Sequence, residues 1–311
     1  MTTACAALPT QPKPAPAGPI PIRPDTRLST TTLILVAITV LGWASAFPAI
    51  RLGLTGFGAL ELGALRFGIA AVPAAIFLAI TRPALPGLRD AWRFVFGGVV
   101  FVALYTALLN LGQRTVPAAA ASFIINVNPI LTALLAMAFL NERFGLYAWL
   151  GTALSFVGVG FIAVGKLEGF EFDTGILLVL GATFATAINS IVQKPLFARH
   201  RPLTVAAWNI VIGALMLAPM LSDGIAQMQV ASSDAIFAAV YLAAIPSFVV
   251  YGTWAMVLAR LPASRATNML YAVPPVATLI GWLWLSEVPT TLGLIGGALA
   301  LGGVVLVNVK K

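Results

Sequence analysis

Long apolar runs follow one another along the chain after residue 30, and short polar breaks separate them. A helix needs about 20 predominantly apolar residues to cross the hydrocarbon core of a bilayer. Breaks at charges, prolines and glycines predict ten such helices, at residues 31–50, 59–81, 91–112, 116–140, 145–165, 174–196, 203–221, 234–258, 263–285 and 290–308. No strand-like alternation occurs over ten-residue blocks, which argues against a transmembrane β-barrel. The predicted fold class is therefore an all-α membrane protein.

The composition supports lipid as the surrounding solvent. Hydrophobic residues make up 60% of the 311 residues and charged residues 9%, whereas soluble globular domains contain about 25% charged residues. The net charge is +8, but the Lys and Arg are scattered over short loops without a basic stripe, so we expect no nucleic-acid partner. The expected partners are the lipid bilayer and a small-molecule substrate.

The distribution of basic residues predicts the orientation in the membrane. With the N-terminus inside, the inner segments hold 14 of the 18 Lys and Arg, the outer loops hold Arg51, Arg114 and Lys166, and Arg66 lies within a helix. Because cytoplasmic loops carry the excess of basic residues, both termini are predicted to be cytoplasmic. The Pro-rich residues 1–29 lack an apolar stretch, so we expect a disordered cytoplasmic tail and no cleaved signal peptide.

The sequence also repeats itself at a constant offset of 145 residues. This offset superposes prolines, glutamates and glycines without gaps: Pro117 on Pro262, Pro129 on Pro274, Glu142 on Glu287, Gly151 on Gly296 and Gly158 on Gly303. Each copy contains five predicted helices, so the second copy enters the membrane from the opposite face. Residues 30–166 and 174–311 are therefore predicted to be two inverted five-helix repeats, an arrangement typical of secondary transporters.

Several short motifs resemble those of a known family. They are Gly42-Trp43-Ala44-Ser45 with Pro48, Arg66-Phe67, Asn128-Pro129 and Leu140-Asn141-Glu142. The chain resembles the ten-helix EamA-type exporters of the drug/metabolite transporter superfamily, and within them the bacterial aromatic amino-acid exporters. The resemblance implies a carrier in the bacterial inner (plasma) membrane. It also implies a central cavity formed mainly by helices 1, 3, 4, 6, 8 and 9.

Polar and aromatic residues within these helices are the candidates for substrate binding. Polar side chains are costly in lipid, so they tend to face a cavity or one another, and aromatic rings can stack on an aromatic substrate. The predicted substrate-binding residues are Trp43, Phe47, Tyr105, Asn110, Asn126, Asn189, Tyr251, Trp254 and Tyr271. Two alternatives stay open: hydrogen bonds between helices for the polar residues, and lipid packing for the aromatic ones.

Charged residues are rare inside the predicted helices. Arg66 is expected to snorkel to the outer surface or to form an internal pair, with a substrate contact as the alternative. Glu61, near the outer end of the second helix, is the only candidate for proton coupling, since coupled carriers need a buried titratable group. The favoured hypothesis is thus facilitated diffusion of a zwitterion.

These patterns predict an exporter of neutral or zwitterionic metabolites, with aromatic or other large neutral amino acids as the expected substrates, working by alternating access. Proton-coupled export of other drugs or metabolites and a passive channel are the alternatives. No nucleophile–base pair, Walker loop or metal cluster occurs in the sequence, so we predict no enzyme and no cofactor. Gly151-x-x-x-Ser155 and Gly293-x-x-x-Gly297 predict close helix packing, at a repeat interface or in a homodimer.

Overall fold

The computed structural model describes residues 29–116, 118–164, 174–285 and 291–309. Within these ranges the chain forms helices joined by short turns, and no strand occurs in them. The predicted tail at 1–29 lies outside the described residues except for Ser29, and so do Lys166 and Glu287. Ser29 is the N-cap of the first helix, because its hydroxyl oxygen accepts a hydrogen bond from the Thr32 amide at 3.2 Å.

The first repeat contains five helices, and one of them is broken. They are α1 (Thr30–Gly53), α2 (Ala59–Thr81), α3 (Leu88–Gly112), α4 in two pieces (Ala118–Ile125 and Asn128–Leu140) and α5 (Leu146–Val164). The second repeat has the same order. It contains α6 (Thr174–Gln193, extended to Ala198), α7 (Pro202–Met228), α8 (Ser233–Arg260), α9 (Ala263–Asn268, a 3₁₀ turn at Met269–Ala272, and Val273–Leu285) and α10 (Thr291–Val309).

Each of the ten predicted helices has a counterpart among these elements, so the predicted all-α fold of two five-helix repeats is confirmed. Six helices in the described ranges, namely α1, α2, α3, α6, α7 and α8, are long and apolar enough to cross a membrane by length and composition. The ends of α1, α3 and α7 at Gly53, Gly112 and Met228 mark the face that the charge distribution assigns to the outside. We refer to it as the predicted outer face.

The distribution of side chains is inverted relative to a soluble protein. Large apolar side chains point away from the bundle, as for Ile80, which is 76% exposed, and Leu215, which is 68% exposed. Polar side chains such as Thr183 and Asn189 are buried. This arrangement is favourable only where hydrocarbon covers the outer surface, because lipid and not water then contacts the apolar side chains.

Helices α5 and α10 approach each other most closely along a seam of small residues. A Cβ atom on Gly303 would lie 2.4 Å from the Gly151 carbonyl oxygen, and one on Gly158 would lie 2.5 Å from the Gly296 carbonyl oxygen. The Ser155 hydroxyl donates to the Ala300 carbonyl oxygen at 2.9 Å across the same seam. Since the 145-residue offset maps Gly151 onto Gly296 and Gly158 onto Gly303, both repeats contribute equivalent residues.

Of the two packing motifs predicted from the sequence, only the first lies at the seam. Gly151 and Ser155 do lie at an interface between the two repeats. Gly297 does not belong to it, because its nearest neighbour is the side chain of Pro275 in α9, 3.5 Å from where a Cβ would lie. On α10 the contact is made by Gly296, Ala300 and Gly303, which recur at intervals of four and three residues on one helix face.

Helices α3 and α8 each contain a wide π-helical segment, at Gly97–Leu104 and Ala243–Val249. The 145-residue offset places the two segments at equivalent positions of the two repeats. In α8 the cause is visible: Pro246 lacks an amide hydrogen and cannot donate to the Leu242 carbonyl four residues earlier. The Ser247 hydroxyl donates to that carbonyl instead, at 2.8 Å.

Candidate functional site

A cavity of about 560 Å³ lies between the two repeats. Its wall combines aromatic, aliphatic, amide and cationic side chains from α1, α2, α3, α4 and α9: Trp43, Ala46, Phe47, Ile50, Arg66, Tyr105, Leu109, Ile125, Asn126, Asn128, Pro129, Leu270 and Val273. Of the helices that the family resemblance implied, α1, α3, α4 and α9 contribute to this wall, and α2 joins them.

Four of the predicted substrate-binding residues line this cavity: Trp43, Phe47, Tyr105 and Asn126. Two others stand behind the wall. Trp254 lies with its ring centre 5.3 Å from that of Trp43, and Tyr251 stacks on Phe101 at 4.7 Å. Tyr251 also meets Trp43 edge-on at 6.3 Å between ring centres, so both rings pack against Trp43 from behind.

The other three predicted residues lie away from the cavity wall. Asn110 donates its side-chain amide to the Ala59 carbonyl oxygen at 2.9 Å and so ties α3 to the start of α2. Asn189 is buried on α6 and is absent from the cavity wall. Tyr271 is fully buried and packs against Ala300 of α10. The Asn110 bond is of the helix-to-helix kind that was the alternative to substrate binding.

Arg66 contradicts the expectation of snorkelling. Only 3% of its surface is exposed, and it lines the cavity in place of reaching the membrane surface. Its Nε–H group donates to the Ser247 hydroxyl oxygen, and its guanidinium carbon lies 5.1 Å from the centre of the Phe67 ring. Ser247 is held in this position by its own bond to the Leu242 carbonyl in the π-helical segment of α8. The internal partner of Arg66 is thus a neutral hydroxyl and not a carboxylate.

Two interrupted helices meet at the cavity. In α4 the turn at Asn126-Val127 ends the first piece, and Asn128 and Pro129 begin the second. In α9 the 3₁₀ turn Met269–Ala272 precedes Val273 and Pro274 at the equivalent place. A helix that begins inside the bundle directs the positive end of its dipole at the space before it. Both second pieces begin at the cavity wall, at Asn128 and Val273, as in carriers with discontinuous helices.

Asn126 presents an open acceptor at this break. Its side-chain amide nitrogen donates to the Ser122 carbonyl oxygen at 2.6 Å, which fixes the amide orientation. Its Oδ1 atom is buried without a hydrogen-bond partner among the described residues. An unsatisfied buried acceptor is costly, so a donor from a bound molecule would stabilise it. Asn128 differs, because its Oδ1 accepts from the Thr132 hydroxyl at 2.9 Å.

Glu61 lies in the first turn of α2, at the predicted outer face, and its carboxylate folds back over Gly58. This position favours a carboxylate, since the N-terminal end of a helix carries partial positive charge. Glu61 is not part of the cavity wall. Among the described residues no group of three His, Cys, Asp or Glu side chains could hold a metal ion.

Polar contacts at the opposite end of the bundle join the two repeats and also link helices within the second repeat. The Glu142 carboxylate accepts hydrogen bonds from the Ala263 and Ser264 amides, at 2.7 and 3.2 Å, and so caps the start of α9. Lys194 donates to the Leu258 and Leu261 carbonyl oxygens. Asp90 pairs with Arg199 and His200, at 2.5 and 3.0 Å. On the side away from Glu61, Glu142 thus joins α4 to α9 and Asp90 joins α3 to the residues just after α6, whereas Lys194 joins α6 to α8 within the second repeat.

In the ranges that the structure describes, the helices of two repeats enclose a cavity lined by a buried cation and several aromatic rings, an architecture typical of small-molecule transporters of the membrane. The chain belongs to the EamA-like transporter family, whose model matches residues 30–164 and again residues 173–309. The predicted family resemblance is therefore confirmed, and the two matches follow the two repeats. The protein is accordingly a multi-pass membrane protein.

Similar proteins carry exporter names. A probable terminal-alkyne amino-acid exporter of Streptantibioticus cattleyicolor is 37% identical over 282 residues, which cover 91% of this chain and 94% of the relative. A probable amino-acid metabolite efflux pump of Escherichia coli is 29% identical over 281 residues, covering 87% and 92%. One crystal structure matches with a TM-score of 0.71 at 19% identity, over 89% of this chain and 96% of that one, which supports the fold alone.

Proposed function

We propose that this exporter carries zwitterionic amino acids with aromatic or other large neutral side chains. The observation that carries the proposal is the buried charge of Arg66 at the cavity wall. No Asp or Glu among the described residues pairs with it. A cation in a low-dielectric site is stable only with a counter-charge or strong hydrogen bonds. The carboxylate of an amino acid would supply that counter-charge each time substrate binds.

The rest of the wall complements the remainder of such a substrate. The open Oδ1 of Asn126 would accept a hydrogen bond from the substrate ammonium group. The rings of Trp43, Phe47 and Tyr105 would cover its side chain, since aromatic rings favour stacked or edge-on partners. The cavity thus offers a cation, an acceptor and an apolar wall, which are the three partners of a zwitterion with a large side chain. The amino-acid exporter names of two relatives agree with this chemistry.

The proposed site of action is the bacterial inner membrane, with both termini in the cytoplasm. The substrate would bind while the cavity is open to the cytoplasm and leave after the two repeats have moved against each other, by alternating access. In the described conformation, the contacts of Glu142 with the start of α9 and of Asp90 with Arg199 join the two repeats at the predicted inner end. We therefore assign this conformation to the stage at which the cavity is closed toward the cytoplasm.

The orientation predicts a specific labelling pattern. In a Cys5→Ser background, a Val230→Cys variant should react with an impermeant maleimide added to intact cells, and a Leu85→Cys variant should not. Both side chains are well exposed, at 87% and 79%, so access to the reagent depends only on the side of the membrane. After permeabilisation both variants should react, which controls for local reactivity. Labelling of Leu85→Cys alone in intact cells would reverse the orientation.

A counterflow assay with matched ligands tests the proposed substrate class. Proteoliposomes loaded with phenylalanine and diluted into labelled phenylalanine should accumulate label transiently, with saturation. Phenylalanine amide, which lacks only the carboxylate charge, should compete at least about ten-fold more weakly, since charge-assisted hydrogen bonds contribute about 1.5–3 kcal/mol. Leucine should compete and glycine should compete poorly. Equal competition by the amide would contradict the proposal and favour export of cationic drugs.

The same vesicles address energy coupling. We propose facilitated diffusion, so downhill flux should proceed without an imposed pH gradient. Glu61 is the candidate for proton antiport, but it lies at a helix start and not at the cavity wall. Uphill accumulation driven by a pH gradient alone, and lost in Glu61→Gln, would establish antiport instead. Linear, non-saturating flux would establish a channel.

A further inference from the structure

A second pocket, of about 630 Å³, opens at the predicted outer face. Two cations, Arg51 at the end of α1 and Arg114 just after α3, line it together with the hydroxyl residues Thr55 and Thr115. The positive-inside distribution leaves three Lys and Arg on the outer loops, and two of them converge on this pocket. Both side chains are exposed, and neither forms an ion pair or side-chain hydrogen bond with a described residue.

Gln113 adds an independent sign of a ligand site. It lines the same pocket, and only 7% of its surface is exposed. Both its amide nitrogen and its amide oxygen are buried without a partner among the described residues. A buried amide that leaves both a donor and an acceptor unsatisfied is unfavourable unless a bound molecule completes them.

The pocket lies directly beyond the central cavity along the same two helices. On α1, Ile50 lines the cavity and the next residue, Arg51, lines the outer pocket. On α3, Leu109 lines the cavity and Gln113, one turn further on, lines the outer pocket. Four residues of helix rise about 6 Å, so a molecule that leaves the cavity between α1 and α3 reaches this pocket within one helical turn.

We propose that the outer pocket is an exit subsite, in which Arg51 and Arg114 bind the carboxylate of the exported molecule and Gln113 bonds to its polar backbone groups. The inference rests on the proposed function, since it takes the cargo to carry a carboxylate. The outer pocket would replace the contact with Arg66 that the substrate carboxylate loses when it leaves the cavity. A second cation of moderate strength keeps the carboxylate partnered while it moves, and its exposure to water allows release. A series of weak binding sites lets the substrate pass through, whereas a single strong site would hold it.

Sided transport measurements test this subsite. Counterflow is measured in right-side-out and in inside-out membrane vesicles for the wild type, Arg51→Gln, Arg114→Gln and the double variant. Arg89→Gln is the matched control, because Arg89 is an exposed arginine at the opposite face. In right-side-out vesicles the half-saturating external phenylalanine concentration should rise about three-fold in each single variant and about ten-fold in the double variant, as expected for one or two charge-assisted contacts near solvent. In inside-out vesicles the half-saturating concentration of the outer-pocket variants should equal that of the wild type. Arg89→Gln should equal the wild type in both kinds of vesicle.

Two further arms identify the ligand. With phenylalanine amide in place of phenylalanine, the double variant and the wild type should behave alike, because the amide has no charge for the arginines to bind. In proteoliposomes of phosphatidylcholine alone the effect on phenylalanine should persist. If it appears only when phosphatidylglycerol is present, the pocket binds an anionic lipid headgroup and the inference is overturned.

The outcomes separate this inference from the proposed function. Wild-type vesicles without counterflow of any amino acid would contradict both. Normal wild-type counterflow with unchanged outer half-saturation in the double variant would overturn the exit subsite alone. An equal rise on both sides of the membrane, or an equal rise for the amide, would likewise overturn it, since either would mean a general structural effect.

Discussion

Replacement of Arg66 by Gln should lower amino-acid counterflow on the order of 100-fold. Arg66 is buried at the cavity wall, and its described partners are the Ser247 hydroxyl and the Phe67 ring. Truncating one member of a buried charge pair costs about 2–5 kcal/mol, and about 2.8 kcal/mol corresponds to a factor of 100. Counterflow in proteoliposomes, normalised to folded protein, gives the measurement. The variant should also lose the preference for phenylalanine over its amide, because the group that distinguishes them is gone.

Two further variants separate recognition from structure. Arg66→Lys keeps the charge but loses the planar fork that matches a carboxylate, so it should recover part of the activity. Ser247→Ala removes the hydroxyl that orients Arg66 and should have a smaller effect than Arg66→Gln. The thermal stability of Arg66→Gln should equal or exceed that of the wild type, since removal of a buried cation relieves desolvation. A variant that folds, transports normally and still prefers phenylalanine to the amide would remove Arg66 from the site.

Substitution of Gly303 by Ala should destabilise the protein strongly, whereas the same change at Gly302 should not. A Cβ atom on Gly303 would lie 2.4 Å from the Gly151 carbonyl oxygen and 2.6 Å from the Ser155 amide nitrogen, both of which are backbone atoms that cannot rotate away. The helices would have to separate, and such overpacking costs about 1–3 kcal/mol or more. Gly302 has no atom within 4 Å of the corresponding position. Ala at that position should be neutral or stabilising, because Ala is the better helix former by about 1 kcal/mol.

Thermal unfolding in detergent, followed by size-exclusion chromatography, compares the two variants directly. Gly158→Ala should behave like Gly303→Ala, because the repeat places it at the equivalent position of the seam, opposite Gly296. If Gly303→Ala and Gly158→Ala both unfold at the wild-type temperature, the α5–α10 contact does not limit the stability of the fold.

The helices and the repeat could be predicted because their causes are local. Each apolar run by itself predicts a helix in lipid, and the constant offset of 145 residues can be detected from the sequence alone. Pro129 and Pro274, which the offset superposes, each lie two residues after the break in their helix. The interior partners of a side chain are different, because they depend on which helices become neighbours.

Arg66 illustrates this limit. Its burial depends on Ser247, which lies 181 residues away and is turned toward Arg66 by a π-helical segment. Tyr271 is a second case. In a continuous α-helix it would follow the face of Thr267, but the 3₁₀ turn at Met269–Ala272 rotates the chain roughly 20° more per residue. Tyr271 consequently faces α10 and not the cavity. In both cases a local change of helical pitch, at the π-helical segment of α8 or at the 3₁₀ turn of α9, decides which neighbours the side chain contacts.

The glycine seam between α5 and α10 also bears on how the chain is made. Its two halves are separated by 145 residues, and a ribosome adds about 5–20 residues per second. The small-residue face of α5 is therefore in the bilayer for roughly 7–30 s before α10 is synthesised. During that interval a helix face that can approach another helix closely lacks its native α10 partner. Synthesis of α10 thus completes the packing of α5, so loss of α10 would leave the small-residue face of α5 uncovered and open to quality-control proteolysis.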